Sequence, residues 1–208
     1  DMVMYKLHVR GFTMENAPKE QAAGTFLGLS QKLSYLKKLG ITTVELMPVY
    51  EFEEMDIPVK QEMPEYLKGK MRPEDLLHIN KEMECGRKVN FWGYCAGNYF
   101  AVKAGYAFDQ KNPGKELKDL VCKMHRMGME CVMEMYFPEH SNHNLVLEAL
   151  HYWIREFHVD GFHLIGQDLP ITAIVQDVRL SRTKIFYEAF DEVLLKETKK
   201  YKHLYVYK

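Results

Sequence analysis

Apolar residues along the chain follow two spacings that alternate. Short, nearly continuous apolar runs predict five β-strands, at 3–9, 41–47, 129–137, 161–165 and 204–207. Between them, apolar residues recur every three or four positions and predict amphipathic helices, at 26–36, 117–124, 147–157 and 182–200. Gly40 and Gly128 stand where helices commonly end in glycine. Apolar strands that alternate with helices predict an α/β fold with a parallel sheet covered by helices.

One connection breaks this alternation. Residues 51–108, between the second and third predicted strands, are rich in Glu, Met, Pro and Gly and show no sustained period. A segment of this length is too long for a passive connection. We therefore predict one domain over 1–208, with 51–108 as a functional or subdomain-like insertion.

Composition and charge exclude several classes of protein. The 208 residues are 47% hydrophobic and 27% charged, which is typical of a folded globular chain. Lys plus Arg (28) nearly balances Asp plus Glu (29), so the sequence argues against nucleic acid or an anionic membrane as partner. No apolar run approaches a membrane span, no signal-peptide pattern is present, and we expect a cytoplasmic protein.

The four cysteines show no metal-binding or redox spacing. Cys85, Cys95, Cys122 and Cys131 form no C-x-x-C pair. We expect reduced thiols, although Cys85 and Cys95 flank one loop and could pair in an exported protein. No cofactor motif is found, and we expect no cofactor.

Seven short segments in order resemble a known family. They are VMYKLHVRGFT (3–13), GTFLGL (24–29), YLKKLGITTVELMPVYEF (35–52), NFWGY (90–94), YFA (99–101), YA (106–107) and YWIREFHVDGF (152–162). They are similar to the pullulanase, isoamylase and branching-enzyme branch of the α-amylase superfamily, glycoside hydrolase family 13. The resemblance spans nearly the whole chain and implies a partial (β/α)8 TIM barrel, here its first five βα units. It also implies a retaining mechanism on α-glucans.

A retaining glycosidase needs two carboxyl groups about 5–5.5 Å apart, a nucleophile and an acid/base. The resemblance places the nucleophile at the end of a strand similar to D-G-F-R-F-D, which here reads Asp160 to Ile165. Ile165 stands at the nucleophile position and His163 at the arginine position. Because isoleucine cannot attack a sugar carbon, we expect a loss of activity on the order of 10⁶-fold. Asp168 is the nearest carboxylate in the sequence that could replace the nucleophile.

Two further departures concern the acid/base and the third strand. The resemblance places the acid/base glutamate at the end of the fifth strand. The segment YKHLYVYK (201–208) has only Tyr207 and Lys208 there. We therefore expect the acid/base to be missing as well. On the third strand, Glu134 replaces an aspartate and His140 falls one residue late. The cleft loop that follows is shortened to 141–146.

The resemblance leaves five candidate substrate-binding residues: Tyr94, Trp92, His140, Glu134 and His163. An aromatic face such as that of Tyr94 suits the C–H side of a sugar ring, whereas Trp92 fits a packing role better. Glu134 and Asp160 fit structural roles, and Lys6 and Glu45 could pair inside the barrel.

One group of side chains has the chemistry of a metal site, because histidine and carboxylate side chains suit zinc. Glu139, His140 and His143 lie close in sequence, with His163 on the neighbouring strand end. The spacing matches no established ligand pattern, so we expect no metal there.

Three hypotheses remain open. The first is an inactive α-glucan-binding domain. The second is part of an active α-glucan hydrolase or transferase, completed beyond Lys208 or by another chain. The third is a structural half-barrel without ligand. Because a partial barrel exposes strand edges, we expect an oligomer or association with the rest of a barrel.

Overall fold

A computed structural model describes residues 2–15, 22–56, 88–189 and 192–207. The chain forms two compact units. The larger comprises Asp1–Phe52 and Trp92–Lys208, and the smaller comprises Glu53–Phe91. In the larger unit, six parallel strands form one sheet. In sheet order they are β1 (Met4–Leu7), β2 (Thr43–Leu46), β7 (Glu130–Tyr136), β8 (Gly161–Ile165), β9 (Lys184–Tyr187) and β10 (Leu204–Val206).

Helices connect successive strands of this sheet. They are α1 (Val9–Thr13), α2 (Phe26–Lys38), α3 (Pro113–Arg126), α4 (His143–Phe157), α5 (Ile171–Gln176) and α6 (Glu192–Lys200), with 3-10 turns at Ala104–Tyr106 and Val178–Leu180. Because each connection returns the chain to a parallel neighbour, the predicted partial (β/α)8 barrel is confirmed. Among the described helices, none is both long and apolar enough to cross a membrane.

Local sequence explains where the main helices begin. The Thr25 hydroxyl accepts the backbone N–H of Gly28 and caps α2, whose buried face carries Leu29, Leu33 and Leu36. The Asn142 side chain accepts the N–H groups of the first turn of α4 in the same way. These helices cover the apolar strands and close the core on the outer side of the sheet.

The connection between β2 and β7 contains further strands. In the larger unit, β3 (Tyr50–Phe52) pairs antiparallel with β6 (Gly97–Val102). In the smaller unit, β4 (Met55–Asp56) pairs antiparallel with β5 (Lys88–Val89). The insertion boundaries 51–108 stay a prediction. Cys85 lies outside the described residues, within which no disulfide joins the other three cysteines.

The helix predicted over 182–200 is wrong in its first half. Lys184–Tyr187 is a strand that pairs with β8 on one side and β10 on the other, and the helix begins only at Glu192. The segment Thr183–Tyr187 is rich in β-branched and aromatic residues, which favour a pleated strand over a helix. The sheet therefore contains the five predicted strands and one more, and the strand ending at Val206 is the sixth.

Candidate functional site

A cluster of charged side chains lies inside the sheet, where four neighbouring strands meet. Strand register places Lys6 beside Glu45, and Glu134 beside His163. The side chains of Glu45, Glu134 and His163 are fully buried. The pair predicted between Lys6 and Glu45 is wrong, because the Lys6 ammonium contacts Glu134 Oε1 instead.

His163 connects both buried carboxylates. Its Nδ1 donates to Glu45 Oε1 at 2.6 Å and lies 3.6 Å from Glu134 Oε1. On the other side of the ring, Nε2 lies 3.2 Å from Glu188 Oε1. The ring of Tyr207 stacks on the imidazole with centroids 4.1 Å apart. His163 therefore stands between two buried carboxylates and one carboxylate that is largely exposed.

Two tyrosine hydroxyls complete the hydrogen bonding of the cluster. Tyr94 donates to Glu134 Oε2 at 2.7 Å, and Tyr207 donates to Glu45 Oε2 at 3.2 Å. Lys6 lies 6.0 Å from the centre of the Tyr94 ring. The tyrosine predicted to face a sugar ring thus uses its hydroxyl group inside the cluster.

The surroundings of His163 and Glu134 favour the charged form of each side chain. Burial alone would lower the pKa of His163, but hydrogen bonds to Glu134 and Glu45 outweigh burial and raise this pKa to about 9. Burial would raise the pKa of Glu134, but His163, Lys6 and Tyr94 lower it to about 2. His163 is therefore an imidazolium that lies between Glu45 and Glu134.

A pocket of about 360 Å³ opens at the carboxyl ends of the strands. Its lining residues come from the ends of β7, β8 and β9, namely Tyr136, Phe137, Glu139, Leu164, Ile165, Gly166, Gln167, Tyr187, Glu188 and Ala189. Ile165 ends β8 and is half-buried, and Glu188 follows β9 directly. One pocket thus contains the isoleucine of the fourth strand and a carboxylate after the fifth.

Glu188 corrects the expectation that the acid/base position is missing. The fifth strand is β9, and the residue after it is a glutamate, whereas Tyr207 belongs to the sixth strand region. The sequence held a signal for this residue, because Lys184–Tyr187 is followed at once by Glu188. The prediction of one helix over 182–200 placed Glu188 inside a helix instead of after a strand.

The structure separates the other predicted residues. His140 is exposed, adopts a φ of 63°, and groups with Glu139 and Asp168 rather than with His163. His143 Nε2 lies 3.1 Å from the backbone oxygen of Asp168. The set considered for metal from the sequence is therefore not brought together, and Asp168 does not line the pocket.

Trp92 belongs to the larger unit. Its side chain is more than half exposed and meets His8 edge-on, with ring centroids 5.8 Å apart. Trp92 is therefore not fully packed, and it is not among the residues that line the described pocket.

A sheet of parallel βα units with its pocket at the carboxyl strand ends is the arrangement of a (β/α)8-type barrel domain. Residues 11–145 match the family model of the α-amylase catalytic domain, "Alpha amylase, catalytic domain". The chain belongs to this family.

Known proteins agree with this assignment. "Isoamylase 1, chloroplastic" from Arabidopsis thaliana is 30% identical over 78% of this chain and 24% of its own length. "Isoamylase 3, chloroplastic" from Oryza sativa subsp. japonica is 26% identical over 92% of this chain and 30% of its own. The chain therefore spans less than a third of either relative.

A solved structure supports the fold. The pullulanase of Paenibacillus barengoltzii, crystallised with maltohexaose and α-cyclodextrin, superimposes with a TM-score of 0.69. The alignment covers 100% of this chain and 39% of that protein, at 20% sequence identity. At this identity the match establishes the fold.

Proposed function

We propose that this domain binds α-glucans at the strand-end pocket and does not cleave them by a retaining mechanism. The observation that carries this proposal is Ile165, which lines the pocket at the tip of β8. Retention needs a carboxylate there to form the glycosyl-enzyme intermediate. A hydrocarbon side chain can neither form that bond nor stabilise the positive charge that develops on the sugar.

The remaining features fit sugar binding. The pocket is large enough for a small number of sugar units and combines apolar walls, such as Phe137 and Ile165, with the carboxylate of Glu188. Glu188 occupies the place that the family resemblance gives to the acid/base. Without a nucleophile, its carboxylate serves as a hydrogen-bond acceptor for sugar hydroxyl groups.

Binding and turnover of maltohexaose test this proposal together. We expect saturable binding by calorimetry, a loss of at least tenfold in affinity for Glu188→Ala, and no reducing sugar released after long incubation. Glu192→Ala, an exposed site on α6, is the matched control and should bind normally. Hydrolysis with retained configuration, or binding unaffected by Glu188→Ala, would contradict the proposal.

A second function is favoured by one observation: Glu139 lines the same pocket as Glu188. Two carboxylates on opposite sides of a sugar can catalyse inverting hydrolysis with water as the nucleophile. In that case NMR of fresh product would show the β-anomer, and Glu139→Gln and Glu188→Gln would each abolish turnover. Asp168→Asn should keep activity, because Asp168 lies outside the pocket lining.

We infer association and a cytoplasmic location from two structural features. Among the described strands, β1 and β10 each pair on one side, and we infer that further barrel strands or a second copy cover these edges. Light scattering at micromolar concentration should show a dimer or larger species for the isolated chain, and a monomer would contradict this. The absence of a disulfide among the described cysteines fits the cytoplasm.

A further inference from the structure

We propose that Glu45, Glu134 and His163 form a binding site for a divalent transition metal, with zinc as the best match. This site lies inside the sheet and adjoins Glu188, which lines the strand-end pocket, but the proposal does not rest on glucan binding. It also differs from the surface set of Glu139, His140 and His143, for which the sequence predicts no metal.

The donor atoms are already close together. One ligand atom from each of the three side chains lies within 4.8 Å of the other two. Nδ1 of His163 is 2.6 Å from Glu45 Oε1 and 3.6 Å from Glu134 Oε1. Zinc bonds of about 2.0–2.2 Å in a tetrahedral site separate neighbouring ligand atoms by roughly 3.3 Å. These two distances bracket that value, and the oxygens of Glu45 and Glu134 lie within 4.8 Å of each other, so small side-chain movements would admit the ion.

Two buried atoms of this cluster have charged groups as neighbours. Glu134 Oε1 contacts the Lys6 ammonium and lies 3.6 Å from His163 Nδ1, and His163 Nε2 lies 3.2 Å from Glu188 Oε1. A buried oxygen that already holds a cation is a position at which a metal ion can take the place of the ammonium group.

Formal charge is satisfied with a divalent ion bound. Without metal, the carboxylates of Glu45 and Glu134 face the His163 imidazolium and the Lys6 ammonium. When zinc binds, the imidazole releases its proton and Lys6 turns toward solvent, so the two charges of the ion replace these two positive charges. The buried cluster therefore contains no uncompensated charge when the metal is bound.

Two departures from the family pattern meet at this point. The resemblance places an arginine at 163 and an aspartate at 134, and the structure shows these two positions paired across β7 and β8. Arginine cannot ligate a metal, whereas histidine can, and the longer glutamate extends the carboxylate toward the imidazole. Imidazole with two carboxylates suits zinc and other first-row metals better than calcium or magnesium.

Lys6 competes with the metal for Glu134. Its side chain is 38% exposed, so its ammonium group has room to turn toward solvent when a metal binds. Removing this charge should strengthen binding, since a positive charge next to a ligand opposes a cation.

The experiment uses the full chain after dialysis against a chelator. Zinc is then titrated against a chromophoric competitor, and X-ray absorption reports the ligands of the bound ion. We expect one equivalent of zinc, with one nitrogen and two carboxylate oxygens from the protein. Glu45→Gln should weaken binding at least tenfold, and Lys6→Gln should strengthen it by a similar factor.

Two variants separate this site from its alternatives. His163→Arg keeps a positive charge in the same place but removes the ligand, so it should abolish binding while the circular dichroism spectrum stays unchanged. His140→Ala changes only the exposed Glu139–His140–Asp168 group and should have no effect. Three outcomes would each overturn the proposal. They are less than about 0.2 equivalent of zinc bound, zinc binding that survives in His163→Arg, and zinc binding that is lost in His140→Ala. If His163→Arg does not fold, the wild-type absorption spectrum decides, and a spectrum without the nitrogen ligand refutes the site.

Discussion

The two ends of the parallel sheet hold their charged groups in different ways. At the amino ends of the strands, Asp160 accepts the N–H of Cys131 at 2.7 Å and lies 2.8 Å from His125 Nε2, and Lys184 contacts Glu130. These side chains are a quarter to two fifths exposed. Toward the carboxyl ends, Glu45, Glu134 and His163 are fully buried.

The difference supports the sites proposed at the carboxyl ends. Water already solvates the pairs at the amino ends, so their formation changes the free energy of folding little. Burying carboxylates and an imidazole inside a sheet is unfavourable unless every charge has a partner. A chain selected for stability alone would fill this interior with apolar side chains, and the buried cluster is therefore evidence of a site.

The largest difference should come from removing one charge at each end. Glu134→Gln removes the counter-charge of Lys6 and one of the two buried carboxylates beside His163, and we expect a loss of about 3–5 kcal/mol in the free energy of unfolding. Glu130→Gln at the amino end should lose about 1 kcal/mol or less. Urea unfolding followed by circular dichroism measures both, and equal losses would refute the comparison.

Alkaline pH should weaken only the buried end. The folded pKa of His163 is raised from 6.5 to about 9, so its contribution is fully present below pH 6.5 and is lost as pH rises through 9. We expect a loss on the order of 3 kcal/mol between these values, measured in the presence of a chelator. The groups facing the imidazole are Lys6, Glu45, Glu134, Glu188, Tyr94 and Tyr207.

The control for this pH dependence is His163→Arg, because arginine keeps its charge throughout this range. Its stability should change little between pH 6.5 and 9. A slope as steep as that of the wild type would assign the titration to another group.

Two glycines, one at each end of the sheet, allow the cost of an added side chain to be compared between the two ends. A Cβ at Gly166, beside the pocket, would lie 2.3 Å from the backbone oxygen of Phe137, and the φ of this residue is +144°. Gly166→Ala should therefore destabilise the fold by about 2 kcal/mol. At Gly40, before β2, φ is +82° but nothing lies within 4 Å of an added Cβ, so Gly40→Ala should lose about 1 kcal/mol. Thermal melting ranks the two variants, and the reverse order would contradict this account.

A small effect is expected at Asp160 as well. Asp160→Asn keeps the size of the side chain but weakens its bonds to the Cys131 N–H and to His125, for a loss of about 1 kcal/mol. Glucan binding should be unchanged, because the residue lies at the end of the sheet opposite the pocket. Calorimetry with maltohexaose checks this, and a tenfold loss of affinity would contradict the separation of the two ends.

Sequence reasoning succeeded where a pattern repeats along the chain. Five strands, most helices and the isoleucine at position 165 follow from apolar periodicity and from a short strand similar to D-G-F-R-F-D. The same reasoning missed β9, because Lys184–Tyr187 is only four residues long and lies beside a segment of helical period. That single omission also hid Glu188.

The sequence alone determined the class of fold, because the periodicity of apolar residues shows which face of each helix or strand is buried. It also determined that a hydrocarbon side chain, Ile165, ends the fourth strand. Only the tertiary structure decided which charges meet. Residues 6, 45, 134 and 163 are up to 157 positions apart (163 − 6), and strand register brings them together. Register depends on hydrogen bonding between strands and on packing across the whole sheet, which no local pattern in one segment encodes.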